Sequence, residues 1–252
     1  MKRLHPVDML FDKLLEISPY PDGVVPVAQR IEGTAFFPGG AGLWGTEPDI
    51  PLPPMPIGQV MVLGHDFDTE VGYKRSLAHR GVNLKSPTWR NLLWLLNQVY
   101  VSPSACFFTN AYMGLRAGNS KVTGRVPGAR SPGFVQQCQA FLAYQLAVQR
   151  PRLILTLGRY VPAVLAPLSV DLAGWARCTS FRVLDTHAQS MLPCVEFGGA
   201  MPVKATVVGL THPSIWHRCV LGRCYGALRG KEAELQMLKE AIEVAGIPRC
   251  ST

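Results

Sequence analysis

The stretch Gly58-Gln59-Val60-Met61-Val62-Leu63-Gly64-His65-Asp66-Phe67-Asp68-Thr69 decides how this chain folds. Its apolar run, Val60 to Leu63, stands between two glycines and reads as a short strand buried on both faces. A turn follows and presents an imidazole, two carboxylates and an aromatic ring. In an open α/β sheet, ligands sit beyond the carboxyl ends of the strands. Asp66 is therefore expected where chemistry takes place. Taken alone, the same residues also read as a strand followed by an ordinary polar turn.

Outward from this stretch, apolar runs alternate with helical spacing. Residues 105–110 (Ala-Cys-Phe-Phe-Thr-Asn), 152–157, 181–184 and 205–210 read as further strands. Residues 7–17 carry Met9, Leu10, Leu14 and Leu15 at helical spacing. A second helix starts after Pro87, with Thr88 as its expected N-cap and Leu92, Leu93, Leu95, Leu96 and Val99 inward. Residues 134–149 bury Val135, Cys138, Phe141, Leu142 and Leu146, another helix opens at Gly158, and residues 225–244 close the chain. Residues 70–86 read as a polar connection. Residues 18–56 are rich in Pro and Gly, and 47–56 cannot continue a helix or a central strand. The expected architecture is α/β: a three-layer α/β/α sandwich around a mostly parallel sheet of four to five strands. A helix and a Pro/Gly-rich arm over residues 1–57 would lead into a domain over 58–252.

Of the 252 residues, 48% are apolar and only 17% charged, enough for a sizeable core and too apolar for a disordered chain. No apolar run approaches the roughly 20 residues of a membrane helix, and the first residues lack a signal peptide's apolar segment. A cytoplasmic protein without a membrane partner is expected. The net charge of +8 points to a polyanion, although a merely basic protein would show the same excess. Residues 114–133 read as a mobile basic loop with Arg116, Lys121, Arg125 and Arg130, a nucleic-acid clamp or simply solvated surface. The seven Cys residues are irregularly spaced, which favours reduced thiols over a zinc site, so no metal is expected.

Polar residues follow three of the strands at one end: Asp66, Asn110 and His212. Together with their surroundings they resemble the uracil-DNA glycosylase superfamily. The carrying motifs are Gly64-His65-Asp66-Phe67, Phe108-Thr109-Asn110-Ala111 and Thr211-His212-Pro213-Ser214, with support from Pro151-Arg152-Leu153-Ile154-Leu155-Thr156-Leu157-Gly158 and residues 138–146. The likeness spans roughly 58–229. It implies an enzyme that flips a nucleotide into a pocket and hydrolyses its N-glycosidic bond. Asp66 would orient a water and stabilise the cationic sugar. Asn110 would read the Watson–Crick edge, and His212 would donate to the base's O2. Backbone N–H groups near His65 and Phe67 would assist. Phe67, Tyr73 and His79 are the candidates for stacking on the base. Ser214, with Arg218 nearby, would hold phosphates, and Trp216 occupies the position of the wedge that fills the gap in the stack. The plainer reading of Trp216 is core packing.

Departures from the family pattern bear on the substrate. Residues 1–60 contain no Cys and only Cys138 of an internal pair remains, so no iron–sulfur cluster, and no cofactor at all, is expected. The Pro after the catalytic position is Phe67 here. Where the uracil-specific branch has a Tyr that blocks C5, this chain has Asp68, which would leave that side of the pocket open and polar. The Asn110 amide pairs with uracil in one orientation and cytosine in the other. The expected substrate is therefore uracil or, preferably, a 5-substituted cytosine such as a glucosylated hydroxymethylcytosine. The expected partner is DNA, either a duplex with one base flipped out or a single strand, with phage DNA among the candidates, and the protein is expected to act as a monomer. Competing classes are a catalytically silent DNA-binding module on the same fold, suggested by Phe67, and an enzyme acting on nucleotides or sugar phosphates. The last lacks any Gly-rich phosphate loop after a strand. A Cys–His hydrolase is weaker, because no Cys stands at a strand-to-helix turn.

Overall fold

A computed structural model of the chain describes residues 6–27, 29, 54–79, 81–119, 124–199 and 202–249. In chain order its elements are α1 (Pro6–Leu14), β1 (Val24–Val25), β2 (Val60–Gly64), α2 (Glu70–Ala78), α3 (Pro87–Gln98), β3 (Cys106–Asn110), β4 (Leu115–Arg116), α4 (Pro132–Gln149), β5 (Leu153–Leu157), α5 (Val161–Leu165), α6 (Phe181–Thr186), β6 (Met191–Phe197), β7 (Val203–Leu210), α7 (Trp216–Cys219), β8 (Cys224–Tyr225), β9 (Leu228–Arg229) and α8 (Gly230–Val244). Five strands form one sheet in the order β3-β2-β5-β7-β6. The first four are parallel, and β6 runs antiparallel along the β7 edge.

Side chains alternate across each strand, so the continuous apolar runs supply two cores. Met61, Leu63, Phe107, Ile154 and Val207 face one layer with Leu10, Phe134, Phe141 and Val161. Val60, Val62, Phe108, Leu155 and Val208 face the other with Leu92, Leu96, Leu238 and Ile242. The chain is thus a three-layer α/β/α sandwich. Each such side chain, fully buried, contributes roughly 1.5–3 kcal/mol, and this is why the central strands read so clearly as uninterrupted apolar runs. Among the described residues no helix is long and apolar enough to cross a membrane.

Several elements differ from the sequence expectation. Residues 181–184 are not a strand. Phe181 and Leu184 lie three apart and anchor α6, in which Leu184 is the buried residue. The edge strand is instead β6, whose irregular burial, exposed Pro193 and bulge between Leu192 and Val195 hide its period. The polar connection after β2 contains α2, capped by the Thr69 side chain, which accepts from the Gly72 N–H at 3.0 Å. Helix α3 is capped two residues earlier than expected: Ser86, not Thr88, is its N-cap and Pro87 occupies N1, where a missing N–H costs nothing. Of the 47–56 arm, residues 47–53 lie outside the described residues. Helix α1 packs Val7, Leu10 and Leu14 onto the core beside α4.

Register decides where the site lies. Gly64 is opposite Asn110, and Leu157 is opposite Leu210. The parallel strands therefore deliver Asp66, Asn110 and His212 to the same edge of the sheet.

Candidate active site

Beyond β2 and β3 the chain continues in step. The Ala111 N–H donates to the Gly64 carbonyl at 2.9 Å and the Tyr112 N–H to the His65 carbonyl at 3.0 Å. This pairing sets the turn carrying Asp66 directly beside Asn110, which is almost fully buried at its strand end. The third strand end comes close because Gly158 (φ +88°) lets the chain turn against His212, with a Cβ at that position lying 3.1 Å from the His212 Cβ. His65, Asp66, Phe67, Asp68, Asn110, His212 and Ser214 all border one cavity of about 760 Å³.

Asp66 is held through one oxygen. Arg116 donates to Oδ2 from Nη2 at 2.6 Å and from Nε at 3.1 Å, and His65 Nδ1 lies 3.2 Å from the same oxygen. Burial pushes the Asp66 carboxyl up, but the hydrogen bonds and charges of His65 and Arg116 outweigh it and keep the carboxyl below its ordinary value. Asp66 is an ionised acid with a firmly anchored Oδ2 and, among the described residues, a second oxygen that makes no such bond.

His212 is fixed as a donor. The Ser214 backbone N–H, which can only donate, reaches its Nδ1 at 3.2 Å, and the Ser214 hydroxyl lies 2.8 Å from the same nitrogen. The neutral ring then carries its proton on Nε2. Burial, followed by the nearby charge of His65, lowers the His212 pKa, and the Asp66 charge opposes this only in part. The surrounding loop is pinned at three points. Asn91 of α3 donates to the Pro213 carbonyl at 2.7 Å, while Glu234 of α8 accepts from the Thr211 N–H at 2.9 Å and from Trp216 Nε1 at 2.7 Å.

Asp68 is half-buried in the cavity wall, and burial together with the charge of Asp66 raises its carboxyl pKa against the Thr69 backbone hydrogen bond. It can occupy this place because Gly72 opposite has no side chain, since a Cβ there would overlap the Asp68 carboxylate. The same wall continues through Arg75, Ser76, His79, Asn83, Ser86 and Thr88, with Trp89 beneath. Apart from His79, none of these residues reads from the sequence as part of a site: Arg75 and Ser76 belong to α2, which lies in a polar stretch, and Thr88 reads only as a helix cap.

The structure separates several other expected site residues. Tyr73 does not border the cavity. It is buried against Phe67, with ring centroids 5.6 Å apart, and its hydroxyl bonds the Gln29 backbone. Phe67 and His79 remain as cavity-lining rings. Arg116 is not a phosphate-binding residue of a loose loop: it is 3% exposed and serves Asp66, because β4 pairs with β1 and turns its side chain inward. Trp216 is not a projecting wedge. It is 4% exposed, packs on Trp94 at 5.1 Å and bonds Glu234, while its neighbour Ile215 is 50% exposed beside Ser214. Arg125, Arg130 and Arg218 are exposed. Lys121 lies outside the described residues.

Among the described residues no three His, Cys, Asp or Glu side chains are grouped to hold a metal ion. No family model matches the chain, and no curated protein matches it.

Proposed function

We propose that the protein is a monofunctional DNA base glycosylase. The observation that carries this reading is the meeting of an ionised, anchored Asp66, a buried Asn110 and a neutral Nε2–H His212 around one cavity. In this reading a flipped nucleotide enters the cavity and Asn110 binds the edge of its base. The C1′–N1 bond breaks and its electron pair leaves with the base, where the His212 Nε2–H stabilises the charge on O2. Asp66 faces the developing sugar cation and orients the water that adds to C1′; the proton this water loses ends on the departed base anion, so the products are the neutral base and an abasic site.

The cavity volume lies well within the roughly 300–1,000 Å³ range of pockets that enclose whole drug-sized ligands, and a bare pyrimidine is smaller. The polar wall of Asp68, Arg75, Ser76, His79 and Asn83 suits a hydroxylated or sugar-bearing 5-substituent. A 5-substituted cytosine, glucosylated hydroxymethylcytosine included, is thus favoured over uracil, with phage defence or base-excision repair in the cytoplasm as the setting. One observation favours the silent DNA-binding alternative: Arg116 neutralises part of the charge with which Asp66 would meet a sugar cation.

The test is mass spectrometry of bases released from uracil-containing, unmodified and glucosylated phage DNA. Release of one base by the wild-type protein, absent with Asp66→Asn and Asn110→Ala, is the expected result. Salt-dependent DNA binding without any released base would leave the silent module instead.

A further inference from the structure

We infer that Arg125, Arg159 and Tyr160 form a phosphate clamp for the DNA strand beside the cavity, a subsite that rests on the glycosylase reading for its ligand. Tyr160 follows β5 by three residues, and its ring centroid lies 5.2 Å from that of His65 on the cavity border. Two guanidinium groups share this ring. That of Arg159 lies 4.8 Å from the centroid and that of Arg125 lies 5.7 Å away. Arg159 also donates to the Tyr160 hydroxyl at 2.8 Å.

Two features make this more than a chance pair of surface cations. First, among the described residues neither guanidinium faces a carboxylate. Like charges gathered on one aromatic ring repel each other, and an anion between them relieves that repulsion. Second, the segment bearing Arg125 is fastened to the site itself. Arg116, which anchors Asp66, also donates to the Gly124 carbonyl at 3.0 Å and the Arg125 carbonyl at 3.4 Å. Asp66, Arg116, Arg125, Tyr160 and His65 thus close a ring of contacts, and the clamp is held at a fixed position relative to the anchored carboxylate. A planar guanidinium suits a phosphodiester oxygen pair. The ligand class is the phosphodiester backbone flanking the flipped nucleotide.

The experiment is a salt titration of DNA binding by fluorescence anisotropy, with base release measured in parallel on the wild-type protein. Each phosphate contact adds about 0.9 to the slope of log affinity against log salt, or about eightfold in affinity at 0.1 M salt. Arg125→Gln with Arg159→Gln is expected to reduce the slope by about 1.8 on that basis. Tyr160→Leu keeps both charges and is expected to weaken binding several-fold with little change in slope, because the charges lose their common platform. Arg152→Gln, at the opposite end of β5, is the control and should leave the slope unchanged. An unaltered slope in the double variant, with wild-type base release intact, would overturn the clamp and leave the glycosylase reading standing. Failure of the wild-type protein to bind DNA or release a base would overturn both.

Discussion

Arg116 and Arg223 are both buried, both hydrogen-bond carboxylates and both hold segments that flank the cavity, yet they leave their acids in different conditions. Arg223 reaches Asp185 with a fork, Nε to Oδ2 at 3.0 Å and Nη2 to Oδ1 at 3.1 Å, and also donates to Glu234. Glu234 spends its remaining capacity on the Thr211 N–H and Trp216, and Asp185 on the Cys224 N–H and Ser190. The side chains of both acids are 0% exposed. Asp66, in contrast, makes its ionic contacts among the described residues through Oδ2 alone, and its side chain is 9% exposed at a cavity. A buried carboxylate whose two oxygens are both occupied can only hold structure. One anchored through a single oxygen keeps an acceptor for something that arrives later, and this spare capacity, which Asp185 and Glu234 lack, is what the proposed chemistry asks of Asp66.

Breaking the closed network should give the largest effect. Glu234→Ala leaves Arg223 Nη1, the Thr211 N–H and the Trp216 Nε1–H without their acceptor, although Arg223 keeps its fork to Asp185, and removing one member of a buried ion pair costs about 3–5 kcal/mol. Denaturant unfolding should show that loss, and the melting temperature should fall by roughly 2–4 °C per kcal/mol for a chain of this size. A loss below about 1 kcal/mol would mean that the network does not fasten the His212 loop. Asp66→Asn is the counterpart. It should lower base release by about 10²–10³, the scale of a single preorganised electrostatic group. Stability should fall less than for Glu234→Ala, since Asn retains an oxygen for Arg116. Equal stability losses in the two variants would erase the distinction drawn here.

A third variant sharpens the electrostatic side. His65 and Arg116 hold the Asp66 carboxyl below its ordinary value, so Asp66 contributes stability that is present above its unfolded value of about 3.9 and lost as pH falls through the lower folded value. Arg116→Gln removes one of the lowering groups, so the folded pKa must rise and that contribution shrink. Carbon NMR of the Asp66 carboxyl, compared between wild type and variant, reads the shift directly. An unmoved titration would assign the lowering to His65 alone.

These differences also explain what could be read in advance. Strands β2, β3, β5 and β7 are covered on both faces, so each is an apolar run, and their parallel direction places Asp66, Asn110 and His212 together without knowledge of any contact. Strand β6 is an edge with a proline and a bulge, and its period is broken. Arg116 could not be placed because its partner strand, β1, lies far earlier in the chain within a Pro/Gly-rich stretch. Helix α7 has only four residues, too few for a period to show which face is buried. The wedge was therefore assigned to Trp216 by position and not by environment.

That assignment yields the smallest effect and the finest test. Trp216 belongs to the closed network through its bond to Glu234, whereas Ile215 is exposed and follows Ser214, which borders the cavity. If an apolar side chain fills the gap left by a flipped nucleotide, the exposed Ile215 is the candidate next to Ser214, and it would offset part of the few kcal/mol that unstacking costs. Ile215→Ala should leave stability within about 0.5 kcal/mol, as for other exposed positions. It should slow base release from duplex DNA by roughly tenfold, which corresponds to about 1.4 kcal/mol, and leave release from single strands unchanged, because an unpaired base has no stack to leave. Trp216→Phe should do the reverse: it loses one buried hydrogen bond, about 1 kcal/mol of stability, and slows both substrates alike by loosening the His212 loop. Equal slowing of duplex and single strand by Ile215→Ala would take the wedge role away from Ile215 and return it to some other part of the rim.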